Sequence, residues 1–233
     1  TVVGPLETGS GPTWNAFIHE QDHLGGASSH HSVDLKVVDL FTGTTPGFPF
    51  PANPPFSGLT LSSLESSSDC PLVLEEDGSR GYIVTTDGLL HAFDPRTGQE
   101  SWPPVVVENT VEPSGDQFEI ALLPKAERVV VFRPIAQVAH FFDATTGTHL
   151  AALDTLLPAR PVRWGYCVLD GDAILLALEN GEIWAMRSNG VLTGPILSKG
   201  VIHTVIAAAN RFLVTADGNL FCYQARAVIL ERR

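Results

Sequence analysis

Two turn signals recur along this chain, and they restrict its fold more than any other feature. Asp87-Gly88, Asn180-Gly181 and Asp217-Gly218 each stand between two short β-rich runs. A two-residue turn of this composition closes an antiparallel hairpin, because a type I′ turn needs positive φ at both positions. The run after each turn repeats one pattern: Leu90, Ile183 and Leu220, then Ala92, Ala185 and Cys222, then Phe93, Met186 and Tyr223. A second turn is spelled Asp-x-x-Thr-Gly at Asp39 to Gly43, Asp94 to Gly98 and Asp143 to Gly147, and Ser188-Asn189-Gly190 is a worn copy. The Asp side chain of such a turn accepts backbone N–H groups two or three residues on, and the Gly tolerates a left-handed backbone.

The closing glycines Gly43, Gly98, Gly147 and Gly190 lie 55, 49 and 43 residues apart. That period suits a propeller blade. The apolar runs are short and β-branched (Val129 to Phe132, Ile174 to Leu178, Val201 to Ile206), and none reads as a long helix. The expected architecture is all-β: one β-propeller domain over 1–233, of about five four-stranded antiparallel blades, or part of a larger propeller. The expected blades are roughly 1–51, 52–107, 108–154, 155–197 and 198–233.

The best-preserved unit, Ala92-x-Asp94-x-x-Thr97-Gly98-x-Glu100-x-Trp102, resembles the repeat of pyrroloquinoline-quinone (PQQ)-like β-propellers. In that family the Ala, Gly and Trp belong to a pattern that docks adjacent blades. The resemblance therefore gives Ala92, Asp94, Thr97, Gly98 and Trp102 a structural role. WD-repeat propellers are the competing assignment, but no Trp-Asp pair occurs and no Gly-His opens a unit. The family's quinoprotein dehydrogenases carry adjacent cysteines at the cofactor. Cys70, Cys167 and Cys222 are far apart, so no cofactor is expected and the non-enzymatic scaffold branch is the better comparison.

The net charge of −12 argues against nucleic acid or an anionic membrane surface as the main partner. No run approaches the ~18 apolar residues of a membrane helix, so no membrane insertion is expected. Three cysteines in or near apolar runs read as buried free thiols, which leans toward a reducing, cytoplasmic compartment.

One motif points elsewhere. His19-Glu20-Gln21-Asp22-His23 spells the H-E-x-x-H zinc signature. On a helix from Trp14 to Leu24 it would put two imidazoles on one face, with a carboxylate beside the metal-bound water and His30 or His31 as a third ligand. However, Ser29 stands where the extended metalloprotease pattern wants His, and Trp14 to Ile18 also fits a strand of the first blade. The expectation is an exposed loop without metal or catalysis. His91, His140, His149 and His203 sit singly in strand-like text and read as structural. The Glu75-Glu76-Asp77 run reads as a solvated turn, and the Ser-rich segment near Ser66 has no nucleophile-elbow pattern.

In a zigzag blade, the turns joining second and third strands share a face with the connections to the next blade. The long irregular segments Glu20 to His31, Pro46 to Asp69 and Glu108 to Gln117 then fall on that one face. Loops of this length in a compact domain are often functional. The expected interaction surface includes Glu20, Asp22, Phe48, Phe50, Phe56, Glu108 and Glu112. The leading expectation is a non-catalytic scaffold for protein partners. A carbohydrate-binding propeller and a diverged quinoprotein or metal-dependent enzyme are the alternatives.

Overall fold

A computed structural model describes residues 2–8, 11–23, 30–39, 60–62, 72–75, 77–84, 88–94, 100–107, 118–170, 172–208 and 211–224. Side chains are described from residue 73 onward, apart from 163, 164 and 208. The described residues are strands and turns, with two single 3-10 turns and no α-helix.

The unit Thr1–Gly115 holds two antiparallel sheets. The first comprises β1 (Val2–Thr8), β2 (Gly11–His23), β3 (His30–Asp39) and β4 (Thr60–Ser62). The second comprises β5 (Leu72–Leu74), β6 (Gly81–Val84), β7 (Leu89–Phe93) and β8 (Glu100–Val106).

The unit Asp116–Arg233 holds three more. They are β9 (Glu119–Leu123), β10 (Arg128–Arg133), β11 (Val138–Asp143) and β12 (Thr155–Leu156); β13 (Pro161–Leu169), β14 (Ala173–Leu178), β15 (Glu182–Arg187) and β16 (Leu192–Ser198); and β17 (Ile202–Ala208), β18 (Arg211–Ala216) and β19 (Asn219–Gln224). Every sheet is laid down in chain order, each strand beside the next. Four sheets have four strands and the fifth has three among the described residues.

Three boundaries differ from the sequence expectation. Thr60–Ser62 pairs with β3 and so belongs to the first sheet, beyond the expected limit at residue 51. Thr155–Leu156 completes the third sheet and Ser198 ends the fourth. These outer strands are short or irregular, and a strand of two or three residues carries no readable alternation.

The H-E-x-x-H segment is neither a helix nor the expected loop. β2 continues through His23 and pairs with β3 without a break, from Asn15↔Asp39 to His23↔His31. His19, Glu20, Gln21, Asp22 and His23 have modest strand preference, but their partners include Val33 and Leu35, and pairing overrides propensity. Along a strand, four residues separate His19 from His23 by about 13 Å. The close i, i+4 spacing that the zinc signature takes from a helix is therefore lost.

Turn chemistry agrees with the sequence at Asp217-Gly218, where φ is 49° and 73° and Ala216 pairs with Asn219. At Asn180-Gly181 it differs. Only Gly181 has positive φ, 81°, and its N–H donates to the Leu178 carbonyl at 2.9 Å. This is a type I turn closed by a left-handed glycine rather than a type I′ turn. Asp87 lies outside the described residues.

The third Asp-x-x-Thr-Gly turn is built as its sequence implies. Asp143 Oδ1 accepts the N–H groups of Thr145 and Thr146 at 3.0 and 2.8 Å and the Thr146 hydroxyl at 2.9 Å. Burial pushes the Asp143 carboxyl up, but the Thr146 and Thr145 hydrogen bonds and the charge of Arg128 outweigh it and hold it below its ordinary value.

The core of the second unit is layered between sheets. β14 is buried along its whole length. Leu176 and Leu178 join Phe132 and Phe141 of the third sheet, while Leu175 and Ala177 join Val205 and Phe212 of the fifth. The two-residue period of a strand thus supplies both layers from one run of six apolar residues. Tyr166 bridges the third and fourth sheets, its hydroxyl donating to the Ile120 carbonyl at 2.5 Å.

Candidate functional site

The turn-and-connection face expected from strand order is present in the unit Asp116–Arg233, and it is knitted by backbone hydrogen bonds. The Leu157 N–H donates to Gln137 O in the β10–β11 turn at 2.8 Å. The Glu179 N–H, in the β14–β15 turn, donates to Arg160 O at 2.8 Å, and the Lys199 N–H donates to Gly181 O at 2.8 Å. The Asp217 N–H, in the β18–β19 turn, donates to Val201 O at 3.1 Å, and Asp217 Oδ1 returns the bond by accepting the Val201 N–H at 2.9 Å. These links run across three sheets. Satisfied backbone groups of this kind let a turn-rich surface hold its shape.

This face carries large exposed apolar side chains. Ile135 is 48% exposed, Leu156 77%, Val201 63% and Leu220 66%. Exposed apolar residues occur off this face too, Val191 at 51% in the β15–β16 turn and Ile206 at 52% on β17. But Leu156, Val201 and Leu220, the most exposed large apolar side chains among the described residues, lie in or beside its turns and connections, where a partner can bury them. The opposite face is built from the remaining turns, through Ala144 N–H to Glu127 O at 2.9 Å and Ser188 N–H to Asp172 O at 3.0 Å.

The expected interaction residues divide. Phe48, Phe50, Phe56, Glu108 and Glu112 lie outside the described residues. Glu20 and Asp22 lie on β2, opposite Asp34 and Ser32, rather than in an irregular segment. His19, His23, His30 and His31 are all strand residues; His23 pairs with His31, and His30 with Ser62. Ile135, Leu156, Val201 and Leu220 escaped the sequence reading because an isolated apolar residue beside a short strand looks like core.

Of the blade motif, Thr97 and Gly98 lie outside the described residues, and Asp94 directly follows β7. Ala92 and Trp102 are cross-strand partners, and Ala92 is in turn opposite Tyr82. Both are buried, Trp102 with 7% exposure.

The acidic run lies at a turn, as expected, with Asp77 exposed and Glu76 outside the described residues, but Glu75 is tied down rather than free in solvent. Glu75 accepts hydrogen bonds from the Tyr82 hydroxyl at 2.6 Å and from the Ser79 hydroxyl, and Arg80 Nη1 stands 3.8 Å away. Burial, then the Glu75 contact, pushes the Tyr82 hydroxyl above its ordinary range. Cys167 is buried, and its burial pushes the thiol up to about 12. Cys222 is exposed, contrary to expectation, because β19 gives alternate side chains to solvent. His91 is buried beside Glu100 at 3.3 Å, and His203 is exposed. His140 and His149, weighed singly from the sequence, converge on Asp154.

No family model matches the chain, and no curated protein matches it. Solved structures do. A chain of BBS1N in complex with ARL6DN superposes with a TM-score of 0.57 at 14% identity, over 96% of this chain and 65% of that one. A chain of the Mitotic Checkpoint Complex gives 0.55 at 15% identity, over 85% and 60%. The computationally designed Ika4 protein gives 0.50 at 15% identity, over 70% of this chain and 95% of that one. This chain thus spans less than two thirds of the first two. At such identity the likeness concerns fold alone, and together with the five antiparallel sheets it makes the chain a β-propeller.

Proposed function

We propose that this β-propeller is a non-catalytic scaffold, holding a protein partner or serving as a subunit of a larger assembly. The observation that carries the reading is the turn face of the unit Asp116–Arg233. Its backbone is rigidly bonded, yet Leu156, Val201 and Leu220 stand mostly in solvent. Burying such side chains is favourable by roughly 25 cal/mol per Å² of apolar area. Propellers of similar fold occur in the Mitotic Checkpoint Complex and in the BBS1N–ARL6DN complex, which supports an assembly role by analogy. Within this reading the blades are of the PQQ-like class without the quinone, and the Tyr82–Ala92–Trp102 row supports that assignment.

The test is affinity capture from native extract with the intact chain and with a Leu156→Asp, Val201→Asp double variant. The reading expects one stoichiometric protein partner with the intact chain and loss of that partner with the variant, at unchanged thermal stability. Capture of a glycan, or a partner retained fully by the variant, contradicts it.

A further inference from the structure

We propose that His140, His149 and Asp154 form a binding site for a divalent first-row transition ion, with Zn²⁺ the simplest occupant. His140 lies on β11, His149 forms an isolated bridge with Phe142, and Asp154 follows the 3-10 turn Ala151–Leu153. The chain leaves β11, turns at Asp143 to Gly147 and comes back, so the connection to β12 brings all three side chains together.

The donor atoms are close. His140 Nδ1 is 2.9 Å from Asp154 Oδ2, and His149 Nε2 is 3.1 and 3.0 Å from the two carboxylate oxygens. One ligand atom from each residue lies within 4.8 Å of the others. Tetrahedral zinc bonds of about 2.0–2.1 Å to nitrogen place neighbouring donors about 3.4 Å apart. The two histidine–carboxylate separations therefore need to open by only a few tenths of an ångström to admit the ion, while the two imidazole nitrogens already lie within 4.8 Å of each other. Among the described residues no other group of three or more such donors comes together.

The donor set selects the ion class. Two imidazoles and one carboxylate suit Zn²⁺, Cu²⁺, Ni²⁺ or Fe²⁺ better than Ca²⁺ or Mg²⁺, which want oxygen. Three protein ligands leave a coordination position for water, and partial exposure of His149 and Asp154 provides access.

The surroundings already fix the ligands. The Phe141 N–H donates to Asp154 Oδ1 at 3.2 Å and orients the carboxylate. The Phe142 ring stacks on His149 with centroids 4.9 Å apart, and the two imidazoles meet edge to face at 5.6 Å. His140 Nε2 is buried without a hydrogen-bond partner, so the polar capacity of that ring is directed through Nδ1, toward Asp154. Because a carboxylate only accepts, Nδ1 carries the hydrogen in this contact without the ion, and coordination at Nδ1 moves that hydrogen to Nε2 and replaces the hydrogen bond by a bridge through the metal. Such an ion would clip the 143–154 connection onto β11.

The experiment is calorimetric titration of the chelator-treated full chain with Zn²⁺. Controls are His149→Ala, Asp154→Asn and a His23→Asn, His31→Asn variant that removes the cross-strand histidine pair of the first sheet. One equivalent should bind, with a rise in melting temperature. Affinity should fall by at least about tenfold, the loss typical even of outer-shell partners, in His149→Ala and Asp154→Asn. The first-sheet variant should keep it. No Zn²⁺ binding, or binding unchanged by both site variants, overturns the proposal. A second measurement on the unmodified chain covers variants that fail to fold: the imidazole NMR signals of His140 and His149 must shift with stoichiometric Zn²⁺. Signals that stay fixed while metal binds elsewhere also overturn it.

Discussion

Trp102 on β8 reaches across Ala92 to Tyr82 on β6, with the two rings 6.4 Å apart and tilted by 40°. The methyl of Ala92 is what lets rings two strands apart meet, since the diagonal and next-strand spacing of a sheet leaves room only over a small residue. Gly81 does the same in the neighbouring row, where an added Cβ would come within 2.6 Å of Phe93 and 2.7 Å of Leu74. The second sheet thus holds two large-small-large rows side by side.

Replacing Trp102 by Ala should cost about 3–5 kcal/mol, the range for deleting a buried large aromatic. Ala92→Leu should cost about 1–3 kcal/mol by overpacking. Denaturant unfolding followed by tryptophan fluorescence and circular dichroism measures both. Costs under about 0.5 kcal/mol, the range of neutral surface changes, would show that the row carries no packing.

The Asp143 turn has a pH signature. Its carboxyl is held below the ordinary value in the folded chain by Thr146, Thr145 and Arg128 against the opposing effect of burial. Folding therefore favours the ionised form. This contribution to stability is present above the ordinary carboxylate pKa of about 3.9 and fades as pH falls through the lower folded value. Asp143→Asn should be less stable than the parent at neutral pH, by about 1 kcal/mol as for other side-chain caps. The gap should narrow below about pH 4, and melting curves from pH 7 to pH 3 follow it.

Thiol chemistry separates the two described cysteines. Cys222 is exposed on β19, whereas Cys167 is buried with its thiol pushed up to about 12. The thiolate is the nucleophile, so alkylation at pH 8 should label Cys222 quickly and Cys167 only on unfolding. Peptide mapping by mass spectrometry after a short iodoacetamide pulse reads the difference.

Charge placed on the turn face should leave folding alone. Leu156→Asp and Val201→Asp alter side chains that are already mostly in solvent. Thermal stability should change by less than about 0.5 kcal/mol. A large loss would mean these residues pack within the molecule rather than await a partner.

The architecture was legible because its turns repeat. Asp143 to Gly147 and Asp217-Gly218 are local devices: their side-chain hydrogen bonds and φ angles depend on a few adjacent residues. What depended on distant partners was not legible. Nothing in His19 to His23 announces a strand, because that strand is made by the ladder to His31 through Asp39. β4 and β12 are too short to carry a pattern, so the blade limits moved. His140, His149 and Asp154 are nine and five residues apart in text that reads as an ordinary strand and turn. Only the path of the returning connection brings them onto one carboxylate. The apolar side chains of the turn face looked like core for the same reason, since exposure belongs to the assembled sheets.

Hydrogen-exchange protection on the complex captured from native extract tests the scaffold claim most directly. The account predicts a stoichiometric protein partner whose binding protects 134–137, 156–160, 199–201 and 217–220, while the turns at 143–147 and 188–190 stay unchanged. Absence of any protein partner, or protection confined to that opposite face, would contradict it.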